Sequence, residues 1–284
     1  MMEIAYDSLL TLESANLSFA VDGDVQAVLQ DINLSLHAGQ FDAIVGANAS
    51  GKSTLARVAA GLLPLSSGQR SLAANVQIGM VLQRPMQQLL GSTAREDLYA
   101  VMESAHLSSQ IWERQMEESL HRVGLSIDPD QPIKTLSGGQ QQLLAIAGCL
   151  AVGATVLVLD EPTSMLDPGH QQLVLERVHH LCREGAAVLW VTHRLEELAY
   201  ADRVHCTEQG RMVYSGTPRH FFYGVASTFP GPASAARASC PCAELGFPLP
   251  YTAAVVRHLR EDGIILDPLP LTVTSLAEAV ASYA

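Results

Sequence analysis

The feature that most constrains the fold of this chain is an apolar run followed directly by a glycine-bearing turn. The run FDAIV occupies residues 41–45, and the turn GANASGKST occupies residues 46–54. Backbone N–H groups in such a turn can surround a polyphosphate, and a helix that begins near Lys52 points its positive end at the same anion. The sequence therefore predicts a phosphate-binding loop between a buried strand and a helix; a plain strand-to-helix connector is the alternative. The predicted nucleotide-binding residues of the loop are Gly46, Asn48, Ser50, Gly51, Lys52, Ser53 and Thr54.

Composition limits the other possibilities. A chain of 284 residues with 48% hydrophobic residues can hold one large α/β domain and a small appendage. Its formal net charge of −12 disfavours a non-specific nucleic-acid surface, because neutralising phosphates requires clustered Lys and Arg. We therefore expect no nucleic-acid partner.

Targeting and redox features favour a cytoplasmic location. The uncharged apolar stretches are shorter than the ~18–20 residues that span a bilayer, and the N-terminus lacks the basic start of a secretory signal. The five cysteines, an odd number at scattered positions, suit reduced thiols. The triplet Cys240-Pro241-Cys242 lacks a second Cys/His pair at metal spacing, and we interpret it as an incidental feature of a linker.

The order of the predicted elements indicates an α/β fold. Strand patterns alternate with helix patterns, which is typical of a mostly parallel sheet covered on both faces. A small antiparallel sheet is expected before the phosphate loop, and a helical insertion at about residues 93–148. The predicted strands are 11–20, 31–36, 76–82, 155–159 and 187–191, and the first helix is predicted from Lys52 to a stop at Gly61.

The last part of the chain has a different composition. Residues 225–242 are rich in Pro, Ser, Ala and Gly, which indicates a linker. Two short amphipathic helices are predicted after it, at 251–261 and 274–283. The predicted organisation is a main domain at 8–224, the linker, and a small C-terminal domain at 243–284.

Two adjacent carboxylates are the next candidates for chemistry. Asp160 and Glu161 follow the apolar run 156–159, at the end of a core strand where open α/β sheets bind ligands. Asp160 can hold Mg²⁺ through water, and Glu161 can polarise a water for attack on a γ-phosphorus. The alternative is an acidic helix N-cap after a strand.

A second candidate anion site precedes the apolar helix at 143–147. Ser137 and the two following glycines expose backbone N–H groups at a helix N-terminus, although a Ser-capped helix is the alternative. With this segment, residues 11–224 resemble the nucleotide-binding subunit of an ABC transporter. The resembling motifs are 46–54 for Walker A, Gln83 for the Q-loop, Leu136, Ser137, Gly138, Gly139 and Gln140 for the signature motif, 157–161 for Walker B, Asp167 for the D-loop and His193 for the switch histidine.

This resemblance implies a P-loop NTPase fold with a RecA-like core, an antiparallel β subdomain, a helical insertion that carries the signature motif, and a small C-terminal helical domain. It implies ATP hydrolysis with ATP and Mg²⁺ as cofactors. The implied catalytic residues are Glu161, His193 and Gln83, and the implied Mg²⁺ ligands are Ser53, Gln83 and Asp160. The residues also allow simpler roles: Gln83 can be a polar strand end, His193 a helix cap, and Asp167 an N-cap as well as a subunit contact.

One copy of each motif implies a partner. In the family, the phosphate loop of one subunit is closed by the signature loop of another, so the resemblance implies a second ATPase subunit, in a homodimer or a paralogous heterodimer. Residue 21 should cover the adenine, where the family has an aromatic side chain and this chain has Val21. Two more departures are Ala49, which replaces a glycine and is tolerable if it does not need a positive φ, and Leu143, which replaces an arginine.

A narrower resemblance follows Gln83. Residues 83–93, followed by Glu96 and Asp97, are similar to the ATPases of energy-coupling factor importers, which take up vitamins and transition-metal ions. Residues 243–284 match, more loosely, the dimerisation domain of that subfamily. The resemblance implies a transmembrane coupling protein that docks near residues 84–93, a substrate-binding membrane protein, and a peripheral location on the cytoplasmic face of the membrane. A conventional ABC importer is the alternative, and a soluble ABC-type ATPase is a more distant one.

Overall fold

The computed structural model describes residues 8–21, 24–224 and 240–283, without the side chain of Val21. Its strands are β1 Ser8–Val21, β2 Asp24–His37, β3 Phe41–Gly46, β4 Ser67–Leu72, β5 Ile78–Val81, β6 Val156–Asp160, β7 Ala187–Val191, β8 Arg203–Glu208 and β9 Arg211–Gly216. Its α-helices are α1 Lys52–Ala60, α2 Ala94–Ser104, α3 Trp112–Arg122, α4 Gly138–Ala151, α5 Pro168–Arg183, α6 Pro218–Tyr223, α7 Pro241–Glu244, α8 Tyr251–Glu261 and α9 Val273–Tyr283. No helix within these ranges is long and apolar enough to cross a membrane.

The larger sheet has six strands in the order β5-β6-β7-β3-β8-β9, parallel except for the β8–β9 pair. Every residue of β3, β6 and β7 is buried, as expected for parallel strands covered on both faces. Phe41 and Trp190 face a core formed with the helices α2 to α5, whereas Ile44 faces a second core formed with α1 and the β1–β2 hairpin. The predicted doubly covered α/β sheet is confirmed.

The smaller sheet is antiparallel, in the order β2-β1-β4. The predicted small sheet is therefore present, but the predicted strand 31–36 is too short because β2 begins at Asp24. Residues 24–27 are all exposed, and they are in a strand because they pair with β1. They lack the alternation of buried and exposed positions by which a strand is recognised in a sequence. The sequence also indicates a turn between these two strands at Asp22-Gly23-Asp24, and Asp22 and Gly23 lie outside the described residues.

A buried polar pair interrupts the apolar run of β3. Asp42 is fully buried, and its Oδ1 lies 2.8 Å from Nε2 of His205 on β8. The other polar atom of each side chain, Oδ2 of Asp42 and Nδ1 of His205, is buried without a hydrogen-bond partner. The two neighbouring parallel strands therefore satisfy this carboxylate only in part, which costs stability relative to an apolar pair.

The helical insertion contains α2, α3 and α4, which pack through buried residues such as Leu98, Met102 and Met116. An exposed polar network around Arg95 ties α2 to α3 and to the following loop. Arg95 contacts Glu113 at 2.5 Å and Asp130 at 2.8 Å. These three helices occupy the region predicted as the helical insertion, and the last of them, α4, packs against β5 at the edge of the larger sheet.

The C-terminal helices pack on the main domain. Phe221 of α6 contacts Phe247, and the Arg219 Nε donates a hydrogen bond to the Leu269 carbonyl at 3.0 Å. The linker boundary predicted at 242 differs from the structure: Pro241 begins α7, and Cys242 is fully buried in the core. Of the predicted linker, residues 225–239 lie outside the described ranges.

Candidate functional site

The loop between β3 and α1 is held from below by β8 and the β8–β9 turn. The Ser50 and Thr207 hydroxyls are 2.9 Å apart, and Gly210 N donates to the Ser50 carbonyl at 3.0 Å. Gly46 has no room for a side chain, because a Cβ there would lie 2.4 Å from the Thr207 carbonyl oxygen. Gly51, at φ 101°, is the N-cap of α1 and provides no side-chain cap. The first N–H groups of α1 are therefore left for an anion.

Lys52 is folded back over this loop. Its Nζ donates hydrogen bonds to the carbonyls of Gly46 at 2.8 Å and Ala47 at 2.9 Å, and the residue is 6% exposed. Burial lowers the pKa of Lys52, and the nearby carboxylates of Glu161 and Asp160 act in the opposite direction. A buried ammonium that is bonded to neutral carbonyls has unused capacity for a phosphate.

Ala49 does need a positive φ. Its φ is 62°, in the left-handed region that costs a non-glycine residue roughly 1–2 kcal/mol. The sequence predicts that alanine is tolerable at this position if its φ is negative, and that condition is not met. The loop keeps its shape at the expense of local strain.

Asp160 lies beside the loop at the end of β6. The Ser53 hydroxyl donates to Asp160 Oδ1 at 2.9 Å, so the structure brings together two of the predicted Mg²⁺ ligands. Burial raises the pKa of Asp160, and the Ser53 hydrogen bond is the largest opposing effect. Two adjacent oxygen ligands, one of them a buried carboxylate that a cation would keep ionised, fit a hard divalent cation.

Glu161 is the centre of the predicted catalytic residues. Its Oε2 accepts a hydrogen bond from Gln83 Nε2 at 3.0 Å and lies 3.3 Å from His193 Nδ1. The backbone of Glu161 has φ 50°, and its N–H donates to the Val191 carbonyl at 2.9 Å. The segments that follow β5 and β7 thus bring two side chains that are distant in sequence to the Glu161 carboxylate at the end of β6, and the backbone of Glu161 is held in an uncommon conformation.

The signature segment forms the start of α4. Ser137 is its N-cap and accepts from Gln140 N at 3.3 Å, while Gln140 Oε1 accepts from Ser137 N at 2.8 Å. Leu136 is buried, and Gly138 is exposed. The Ser-capped helix that the sequence left as an alternative is therefore present, and the side-chain hydrogen bonds of Ser137 run to its own helix and to His170 on α5.

Four other predicted residues are Asp167, Asn48, Thr54 and Val21. Asp167 is the N-cap of α5, accepting from Gly169 N at 3.1 Å and His170 N at 3.2 Å. Asn48 is exposed in the loop, and Thr54 is half-buried in α1. Val21 ends β1, but its side chain lies outside the described part of the chain, so its contact with a base stays a prediction.

Sequence reasoning missed Thr207 and Glu197. Glu197 is 5% exposed and accepts hydrogen bonds from Trp190 Nε1 at 2.8 Å and Thr163 Oγ1 at 2.5 Å. It thereby connects the turn after Glu161 with the loop that carries His193. A glutamate in a Leu-Glu-Glu-Leu segment gives no signal of burial, because its partners lie on other elements: Trp190 on β7 and Thr163 in the turn after β6.

A phosphate loop beside paired carboxylates, with a helical insertion that presents a second helix N-terminus, defines the class of ABC-type ATPases. The family model described as ABC transporter matches residues 29–164. The Energy-coupling factor transporter ATP-binding protein EcfA1 of Symbiobacterium thermophilum is 37% identical over 269 residues, covering 90% of this chain and 88% of that protein. The EcfA1 protein of Latilactobacillus sakei is 36% identical over 226 residues, covering 75% of this chain and 81% of that protein.

A solved structure agrees with these relatives. CbiO1 from Clostridium perfringens, described as part of the ABC transporter complex cbiONQ, superposes with a TM-score of 0.68 at 29% identity, covering 76% of this chain and 91% of that chain. The chain therefore belongs to the ABC transporter family, among the ATP-binding proteins of energy-coupling factor transporters.

Proposed function

We propose that this chain binds and hydrolyses ATP to energise a membrane importer of the energy-coupling factor type, which takes up a vitamin or a transition-metal ion. The observation that carries the proposal is the Gln83–Glu161–His193 cluster beside the phosphate loop, in a chain 37% identical to an EcfA1 protein over 90% of its length. The cluster supplies the residues for hydrolysis, and the relationship supplies the transport role. A conventional ABC importer is the second candidate, favoured by the same site.

Nucleotide binding would rest on the loop at 46–54. The uncapped N–H groups of α1 and the Lys52 ammonium would hold the triphosphate. Ser53, Asp160 and Gln83 would hold Mg²⁺, which when bound neutralises charge on the phosphate oxygens. Val21 would cover the base.

Hydrolysis would rest on Glu161. Its carboxylate would accept the proton of the attacking water, and His193 would orient that water and contact the γ-phosphate. Gln83 would break its hydrogen bond to Glu161 in order to reach the metal. The position of Gln83 would therefore depend on whether nucleotide is bound, and this change would be transmitted to the segment that follows it.

That segment is the proposed docking surface for the transmembrane coupling protein. Met86 is 51% exposed and Leu90 is 80% exposed, so two large apolar side chains face solvent directly after Gln83. The loop shape is fixed from inside, because Gln88 accepts from Leu82 N at 2.6 Å and Asp97 accepts from Leu90 N at 2.6 Å. A shaped apolar surface next to a nucleotide sensor suits a coupling contact.

The assembly would contain a second ATPase subunit, either another copy or a paralogue, whose signature loop closes the phosphate loop of this chain. Asp167 would lie at their contact, and residues 243–283 would add to it. A substrate-binding membrane protein would complete the importer, with this chain peripheral on the cytoplasmic face of the membrane.

Purification from detergent-solubilised membranes tests this function. A tagged chain should bring down an ATPase subunit and hydrophobic membrane proteins, and the complex should hydrolyse Mg-ATP. The identity of the membrane chains separates an energy-coupling factor importer from a conventional one. Recovery of DNA or ribosomes without membrane proteins would contradict the transport role.

A further inference from the structure

His170, in the first turn of α5, joins two segments that the motifs treat separately. Its Nδ1 lies 2.5 Å from Asp167 Oδ2, and its Nε2 lies 3.3 Å from the Ser137 hydroxyl. The ring also covers Gly139, where an added Cβ would come within 2.5 Å of the His170 ring. One imidazole thus connects the D-loop to the signature loop of the same chain.

The hydrogen bonds fix where the protons lie. An ionised carboxylate only accepts, so Nδ1 of His170 carries a proton toward Asp167, whose pKa is lowered chiefly by this hydrogen bond. Nε2 then accepts from Ser137 when the ring is neutral and donates to Ser137 when the ring is an imidazolium. The Ser137 oxygen already accepts from Gln140 N.

A serine hydroxyl has one proton to give. Beside a neutral His170, the Ser137 hydroxyl donates its hydrogen bond to Nε2 of the imidazole. Beside an imidazolium, Ser137 accepts from the ring, and its proton is free for a phosphate oxygen. The positive charge on the ring also favours an anion at this helix N-terminus.

We propose that His170 is a positioning residue for ATP closure: as an imidazolium held by Asp167, it donates to the Ser137 oxygen and leaves the Ser137 hydroxyl proton free to point at the γ-phosphate on the partner subunit. This inference rests on the proposed role of the signature loop across the dimer. The charged side chain that hydrogen-bonds to His170 is Asp167, on the same helix, and α4 faces it with the uncharged Ser137 and Gly139.

The test measures ATP-driven association with the ATPase partner that co-purifies, in a Glu161→Gln background that prevents turnover. Sedimentation would be run at about pH 5.5 to 8, the interval in which histidines titrate. With His170 present, association should tighten as the pH falls. His170→Ala should weaken association by about tenfold or more, the effect of a lost hydrogen bond to a charged group, and should flatten the pH profile.

Two variants separate positioning from packing. His170→Gln places an amide N–H donor near Ser137 at every pH, so association should stay tight but lose its pH dependence. His180→Ala removes a histidine from the exposed far end of α5 and should change neither property. Mg-ATP binding to the isolated chain should be equal in all of these variants, which verifies that they fold.

Ser137→Ala distinguishes the possible failures. If Ser137→Ala abolishes association while His170→Ala keeps the parent affinity and pH profile, the role of His170 is overturned and the role of the signature loop stands. If Ser137→Ala also leaves association unchanged, the proposed signature contact is wrong, and the inference falls with it.

Discussion

The two anion-directed helix ends of this chain, at α1 and α4, differ in how they satisfy their own N–H groups. The α1 helix begins at Gly51, in the left-handed region and without a side-chain cap. The α4 helix begins at Ser137, in a capping box closed by Gln140. The phosphate loop is therefore built to receive a ligand, whereas the signature loop is complete without one and must exchange hydrogen bonds when it meets a phosphate.

The charged groups near the two loops also indicate that the phosphate loop is the one prepared for a ligand. The phosphate loop contains a buried lysine next to two carboxylates at the strand ends, a site already assembled in one chain. At the signature loop, the hydrogen-bonded partner of Ser137 is instead the more exposed His170–Asp167 pair. We infer that nucleotide affinity belongs to the first loop and that the second contributes only when two subunits meet.

Glu161→Gln should have the largest effect, and it separates binding from hydrolysis at the phosphate loop. The amide keeps the size of the side chain but cannot accept the proton, so turnover should fall by about 10²- to 10⁴-fold. Mg-ATP affinity should be retained, and the ATP-bound dimer should persist. Steady-state phosphate release from the purified complex near the wild-type rate would show that another group is the base.

Removing residues 240–284, the C-terminal tail, tests whether the domain that carries the phosphate loop depends on this tail for its stability. Two large buried side chains of α6, Phe221 and Tyr223, contact the tail at Phe247 and Pro270, and uncovering such a side chain costs about 1.5–3 kcal/mol. The free energy of unfolding should therefore drop by at least about 3 kcal/mol in urea titrations. Tyr251→Ala, at a side chain that is 66% exposed, is the control and should change it little. An unchanged unfolding midpoint after truncation would mean that the tail is a separate unit.

These differences also show what the sequence could predict. The α1 helix from Lys52 to its Gly61 cap, β7 and α8 were predicted at their observed positions, because caps and periodicity are local signals. The exposed strand β4 and the β8–β9 hairpin were not predicted. The strands β4 and β8 pair with β1 and β3, which are distant in sequence, and β9 has no buried residues.

The candidate site divides in the same way. The residues of the phosphate loop and the carboxylates stand in contiguous motifs, so they were found from the sequence. The roles of Thr207, Glu197 and His170 depend on side chains brought together from different strands and helices, and no spacing predicts them. The burial of Cys242 was likewise hidden, because a Pro- and Ser-rich context indicates a linker.

Val21→Tyr tests how much the contact with the adenine base adds to the nucleotide affinity of the phosphate loop. An aromatic ring that stacks on a base contributes ~1–3 kcal/mol in single-stranded nucleic-acid sites, so by analogy the substitution should tighten ATP binding by about tenfold. Calorimetry with ATP and GTP would measure it. Phe19→Ala is the control, since Phe19 is 41% exposed on the same strand. Loss of binding in Phe19→Ala, with no gain from Val21→Tyr, would place the adenine elsewhere.

Ala49→Gly should have the smallest effect, and it tests the strain that distinguishes the phosphate loop. Glycine adopts φ 62° without the steric cost that alanine has there, and removing this cost outweighs the larger entropy that glycine loses on folding. The free energy of unfolding, measured by thermal unfolding, should therefore rise by up to about 1 kcal/mol. Ala47→Gly is the matched control in the same loop, where no positive φ is found, and should destabilise. Equal losses in both variants would show that the Ala49 conformation is not strained.

The most direct test of the difference between the two loops is Mg-ATP binding by the isolated chain, measured by calorimetry at monomer concentrations. Lys52→Ala should weaken binding by about tenfold or more, because a charged hydrogen-bond donor to the triphosphate is lost. Lys134→Ala, at the other of the two lysines in the chain, and Ser137→Ala should both bind with wild-type affinity. Unchanged affinity in Lys52→Ala, or an equal loss in Ser137→Ala, would contradict the assignment of nucleotide binding to the phosphate loop alone.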